Sequence, residues 1–190
     1  GGISEVTIRN LAKDLGISTM SVYTHVNDRD DLLVLMVDEM HCRAELASYG
    51  RAQWRTRVRR VAEANLELLR HHSWLLDIDD PRTALGPGTI AKYDHELHAF
   101  DGMGLDHLTR DSALSFVLDF AHASAARMVL AEGAGEFTAI WEESSGRLTD
   151  YLGRDHPLAQ EVGRVSGEAM GSPYDAEVAW EFGLRRVLAG

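Results

Sequence analysis

The 190-residue chain has a single cysteine, Cys42, which excludes an internal disulfide and any zinc site made of cysteines alone. Between His41 and Arg43, that thiol reads as part of an ordinary helix face. No stretch reaches the roughly 18 apolar residues of a membrane span, and no secretion signal is visible, which fits a soluble, cytoplasmic protein. Enzyme signatures are missing too: there is no HExxH, GxSxG or CxxC motif and no glycine loop shaped for phosphate. The close histidine pairs, His71 with His72 and His95 with His98, read as surface groups, and Asp77, Asp79 and Asp80 before Pro81 read as a helix end and turn. No catalytic, metal or cofactor site is expected. Basic residues are also few, 19 against 30 acidic for a net charge of −11, which argues against nucleic-acid contact over the whole surface. A small DNA-reading head on an acidic body remains compatible with that balance.

Such a head is written between Thr7 and Asp38. Thr7 is placed to cap a first helix whose Ile8, Leu11, Ala12 and Leu15 share one face, while Arg9, Asn10, Lys13 and Asp14 share the other. Gly16 follows the last apolar residue, where a left-handed residue ends a helix at least cost. Ile17 is expected to plug the angle to a second helix, capped by Ser18 or Thr19 and running to about His25. Only Val22 and Val26 are clearly aliphatic there, so Thr19, Met20, Ser21, Tyr23, Thr24 and His25 are left for contacts. Asn27 or Asp28 caps a third helix with a broad apolar band of Leu32, Leu33, Leu35, Met36, Val37 and Met40, expected to reach Ala47. Helix, glycine turn, hydroxyl-rich helix and charged helix start together spell a helix-turn-helix.

The run LAKDLGISTMSVYTHVNDRDDLL closely resembles the N-terminal domain of the TetR family of transcriptional regulators. The matching positions are Leu11, Ala12, Leu15, Gly16 and Ile17; Tyr23, His25 and Val26; and Arg29, Leu32 and Leu33. The resemblance implies an all-α protein that binds double-stranded DNA as a repressor at a palindromic operator. It puts Thr19, Met20, Ser21 and Thr24 in the major groove, Tyr23, His25 and Arg29 on phosphates, and Ile8 and Arg9 near groove and backbone. It also implies a further helix and a basic arm ahead of Gly1.

Past residue 47 the chain reads as helices: Gln53 to His72, a short apolar piece at Trp74 to Ile78, a helix opened by Gly88 or Thr89, and two strongly apolar helices, Thr109 to Ala131 and Asp175 to Leu188. The basic run Arg51, Arg55, Arg57, Arg59 and Arg60 reads as a solvated face. A helix apolar all round is buried all round, in a domain centre or a subunit interface. The order of these elements, closing on Trp180-Glu181-Phe182-Gly183-Leu184, is similar to the ligand-binding domain of the tetracycline repressor and its relatives. That resemblance implies a helix-turn-helix domain at residues 1–47 and an effector-binding, dimerising helical bundle at 48–190. It implies a homodimer joined through the helices from Thr109 to Ala131 and from Asp175 to Leu188.

Polar interruptions of apolar faces are the candidate contacts to an unknown small-molecule effector: Asn65, Glu96 and His122, with Trp74, Phe116, Phe120 and Trp141 as aromatic walls. Each has a plainer reading, since aromatics at helical spacing are usually core. Glu45 and Asp79 stand where the resemblance would put magnesium-binding histidines, so the tetracycline–magnesium mode is not expected. The alternative function is a non-switching DNA-binding or adaptor protein whose second domain only dimerises.

Overall fold

Helix α1 (Ile8–Leu15) starts where Thr7 Oγ1 accepts the Asn10 amide and stops at Gly16, left-handed at φ 67°. In this computed structural model, residues 3–132, 143–144, 146–148, 150–151, 153, 155–170 and 174–189 are described. Ser18 caps the short α2 (Thr19–Tyr23), and Asp28 caps α3 (Arg29–Cys42) by accepting the Asp31 amide. Ile8, Ala12, Val22 and Val26 form a small core between α1 and α2, closed by Leu11 and Leu32. Ile17 lies largely exposed beside that core rather than plugging it.

The second and larger core gathers α4 (Trp54–His71), α6 (His107–Glu132) and α8 (Ala176–Ala189). Val58, Val61 and Ala62 of α4 meet Leu114, Val117, Ala121 and Ala125 of α6, with Trp180 and Leu184 of α8 closing the layer. Helix α5 (Pro87–Leu97) lies across α3, and α7 (Pro157–Met170) precedes α8 with no buried residue of its own. Among the described residues every regular element is helical.

Several boundaries moved from their expected places. Helix α2 stops at Tyr23, so His25 sits in the turn that follows. Helix α3 stops at Cys42, not Ala47, because residues 44–49 leave the helix to line a cleft with Tyr49 stacked on His95. Pro87 opens α5 from Gly86, and Asp106, which accepts from the Thr109 amide and hydroxyl, caps the first turn of α6. The arginines of α4 are more than a solvated face. Arg55 donates to the Leu188 carbonyl at 2.9 Å, and Arg57 donates to the carbonyls of His98 and Asp101, tying α4 to its neighbours.

Candidate nucleic-acid interface and effector cleft

The surface of the head follows from its caps. Thr19, Met20, Ser21, Tyr23, Thr24 and His25 are all exposed, Met20 at 71% and Tyr23 at 50%. The hydroxyls are not equally available. Ser21 Oγ lies 3.0 Å from the capping Ser18 Oγ, and Thr24 Oγ1 donates back to the Ser21 carbonyl at 2.6 Å. Among the described residues Thr19, Met20, Tyr23 and His25 project without such a tie. Arg9 is exposed at the start of α1, with exposed Lys13 one turn further on.

Two expected contacts are placed differently. Ile8 is 8% exposed and belongs to the core of the head, because it opens the apolar face of α1. Arg29 is half-buried and donates from Nε to the Val6 carbonyl and from Nη2 to the Ile3 carbonyl, both at 2.8 Å. It staples the segment before α1 to the start of α3.

The candidate effector residues separate into two groups. Asn65 and Glu96 come together, and they bring Lys92, which sequence reasoning missed. Lys92 Nζ donates to Asn65 Oδ1 at 2.7 Å and to Glu96 Oε1 at 2.6 Å, while Asn65 Nδ2 donates to the same Glu96 oxygen at 2.6 Å. All three side chains are buried, so the two charges need each other. Lys92 was detectable: Gly88, Lys92 and Glu96 repeat every four residues, on the face of α5 turned inward.

This cluster borders a cleft of about 130 Å³ lined by Glu45, Leu46, Tyr49, Val61, Leu68 and His95 among others. The Tyr49 ring stacks on the His95 imidazole at 4.6 Å and 18°. Its hydroxyl is buried with no hydrogen-bond partner among the described residues. Burial, together with the Glu96 carboxylate, pushes that phenol up to about 12. An unsatisfied buried hydroxyl costs about 1–3 kcal/mol, so the closed cleft holds a local defect.

Phe116, Phe120, His122 and Trp74 are not at this cleft. Phe116 is 61% exposed and His122 is exposed on the outer side of α6. Phe120 stacks on Trp180 at 4.9 Å and leaves room at Gly183 for nothing larger, since a Cβ there would lie 2.5 Å from the Phe120 ring. Trp74 borders a separate surface groove with Leu35, Met36 and Arg43 of the α3 side. Trp141 lies outside the described residues. Among the described residues no group of three or more His, Cys, Asp or Glu is placed to hold a metal ion.

A two-part molecule with a capped helix-turn-helix and a helical body matches known proteins in both parts. Residues 47–190 match the family of tetracyclin repressor-like C-terminal domains. The chain belongs to the TetR family. The HTH-type transcriptional repressor DrrR1 of Streptomyces coeruleorubidus is 28% identical over 197 residues, covering 100% of this chain and 70% of DrrR1. An HTH-type transcriptional regulator of Saccharopolyspora erythraea is 26% identical over 154 residues, 79% of this chain and 65% of that protein. The fold is that of the TetR-family protein ActR from Streptomyces coelicolor in complex with actinorhodin, with a TM-score of 0.79 at 20% identity over 100% of this chain and 88% of ActR. Apo ActR gives 0.75 at 22% identity over 98% of this chain and 86% of that one.

In this TetR-family chain, α3 is where head and body meet. A Cβ on Gly88 would lie 2.6 Å from the Asp38 carbonyl oxygen, so only glycine lets α5 come this close to α3. The Thr89 amide donates to Asp38 Oδ1 at 2.8 Å, and Thr89 Oγ1 is 2.8 Å from His41 Nδ1. Burial and the nearby Lys92 charge push His41 down to about 4, against a smaller opposing pull from Asp38, which keeps the ring neutral. At the other end of α3, Asp31 accepts from Arg82 of the body and from the Asn27 amide and side chain, just past α2. The Asn27 bonds and the Arg82 guanidinium hold the Asp31 carboxyl below its ordinary range.

Proposed function

We propose that this TetR-family regulator is a repressor that holds a palindromic operator as a homodimer and releases it when a small molecule enters the α4–α5 cleft. The observation that carries the proposal is the shared use of α3. The chain leaving α3 forms one wall of the cleft, α5 forms another, and α5 packs on α3 through Gly88. Whatever fills the cleft therefore bears on the helix that carries the head. Release also requires the effector to bind the two conformations with different affinity.

The head, residues 1–47, presents Thr19, Met20, Ser21 and Thr24 to base edges, with Tyr23, His25 and Arg9 toward phosphate. Arg29 acts on DNA through the segment it staples. Residues 48–190 pair the copies, and the outer faces of α6 and α8 support this. Phe116, Leu108 and Leu130 of α6 and Val178 and Phe182 of α8 are all more than half exposed in one chain, more apolar surface than a lone bundle leaves to water. Phe116, Phe120 and His122 belong to that pairing surface in this reading. Two heads about one DNA turn apart read an inverted repeat that one could not. ActR holds actinorhodin in its solved complex, which supports a small-molecule effector of this chain as well. A repressor of this kind works in the cytoplasm.

Fluorescence anisotropy of the full-length protein on its own upstream DNA tests the proposal. Saturable binding to an inverted repeat, steeply weakened by salt and lost in Tyr23→Ala, is the expected result. Binding no tighter than to a scrambled duplex would overturn it.

A further inference from the structure

In a chain with 30 acidic residues against 19 basic, one groove gathers basic side chains with no acidic residue beside them. It holds about 270 Å³ between the first turns of α4 and the last turn of α8, lined by Arg55, Thr56, Arg59, Arg185, Leu188 and Ala189. None of these residues borders the α4–α5 cleft. Arg55 and Arg59 lie four apart on α4 and so share a face, and Arg185 meets them from α8. Two of the three guanidiniums are fixed through the inner nitrogen. Arg55 Nε donates to the Leu188 carbonyl at 2.9 Å, and Arg185 Nε donates to the Glu181 carbonyl at 3.2 Å. Their outer nitrogens have no hydrogen-bond partner among the described residues. Arg59 meets Glu63 at 3.3 Å, an exposed pair that holds it weakly. Three like charges therefore face one groove, an arrangement that disfavours itself until an anion enters. The groove also lies at the end of α4 away from the head. Arg70, about 22 Å along the helix, stands at the end from which the chain returns to Arg82 and its bond to Asp31.

We infer that this groove is a second ligand site, which takes a phosphate dianion, either free or as the end group of a small phosphomonoester. Three guanidinium forks match a group with three free oxygens and two negative charges, and arginine bonds such oxygens in pairs. A carboxylate offers two oxygens and one charge, too few for three arginines. The Thr56 hydroxyl adds a donor to the same wall. Seated there, the anion bridges α4 to the last turn of α8 and reinforces the span that Arg55 makes through the Leu188 carbonyl.

Calorimetric titration of the full-length protein with inorganic phosphate, methyl phosphate and acetate, in a buffer free of other multivalent anions, tests the site. Phosphate is expected to saturate one site per chain and to bind at least about tenfold more tightly than acetate. Arg59→Gln and Arg185→Gln should each weaken phosphate by about tenfold or more, the worth of a charged hydrogen bond. Arg55 is left in place because it holds α8. Arg51→Gln removes the same charge just ahead of α4 but outside the groove, so it should change phosphate binding less than about twofold. Methyl phosphate bound as tightly as phosphate assigns the site to a monoester, and weaker binding assigns it to the free anion; both support the inference. No saturation by about 10 mM phosphate, acetate bound as tightly, or equal weakening by Arg51→Gln would overturn it. Binding of each variant to the protein's own upstream DNA, measured in parallel, should stay within about twofold of wild type, which also shows that the variants fold. Loss of that binding in Arg59→Gln and Arg185→Gln alone would make these arginines a DNA contact and overturn the phosphate assignment.

Discussion

Lys92 and Glu96 are each almost completely buried, and among the described residues their charged groups bond to one another and to Asn65. Removing one partner of such a pair costs about 3–5 kcal/mol, because the other is left charged in an apolar surrounding. Lys92→Met should therefore lower the urea-unfolding free energy by about that much, and adding Glu96→Leu to it should restore most of the loss. His41 makes a second residue-scale prediction, in pH. Its folded value is depressed from 6.5 to about 4, so the unfolded chain takes up the proton first as pH falls. The stabilisation from neutral His41 is whole above about 6.5 and is lost as pH drops towards 4. The melting temperature should fall across that window, and His41→Gln, which cannot titrate, should show a smaller fall. The buried cluster was only half legible in the sequence. Asn65 and Glu96 showed themselves as polar interruptions, whereas Lys92 resembled any surface lysine until its spacing from Gly88 was considered.

Elements were most legible where local chemistry decides them. Thr7, Gly16, Ser18 and Asp28 cap or stop their helices as the sequence implied, because each satisfies an orphan backbone group with its own atoms. The end of α3 was illegible for the opposite reason. Ala44, Glu45, Leu46 and Ala47 are good helix formers, yet the chain leaves the helix there to line the cleft, a tertiary preference that outweighs propensity. The closeness of α3 and α5 gives a prediction at this scale. Gly88→Ala must push backbone apart at Asp38, so it should cost about 1–3 kcal/mol in thermal or urea unfolding and weaken operator binding. The same fall in stability with unchanged operator affinity would show that α5 does not position the head. Ser18→Ala removes the only side-chain cap of a five-residue helix. It should cost about 1 kcal/mol, read by the same unfolding measurements.

For the whole molecule the apolar pattern of α6 was the most informative and the most ambiguous. By length and composition it is the one helix among the described residues that could cross a membrane, and its sequence predicted burial on every side. The structure buries Leu114, Val117, Ala121, Ala125 and Met128 within the bundle and leaves Leu108, Phe116 and Leu130 outside. Burial was legible in the sequence, but which residues of α6 the bundle takes and which it leaves exposed was not. Phe116→Glu combined with Phe182→Glu should convert a dimer to a monomer in analytical ultracentrifugation while leaving helical content unchanged. The balance of 19 basic against 30 acidic residues was a poor guide to DNA binding, since the whole-chain charge does not show where Arg9 and Lys13 are exposed on the head.

The central claim is that two heads act together on DNA. The most direct measurement is the anisotropy of labelled duplexes carrying an inverted repeat from the protein's own upstream region, compared with one half-site of it, at several salt concentrations. Two chains per intact repeat, at least about a hundredfold weaker binding to the half-site, and a steep loss of affinity with salt are the predicted result. Equal affinity for repeat, half-site and random duplex would contradict it.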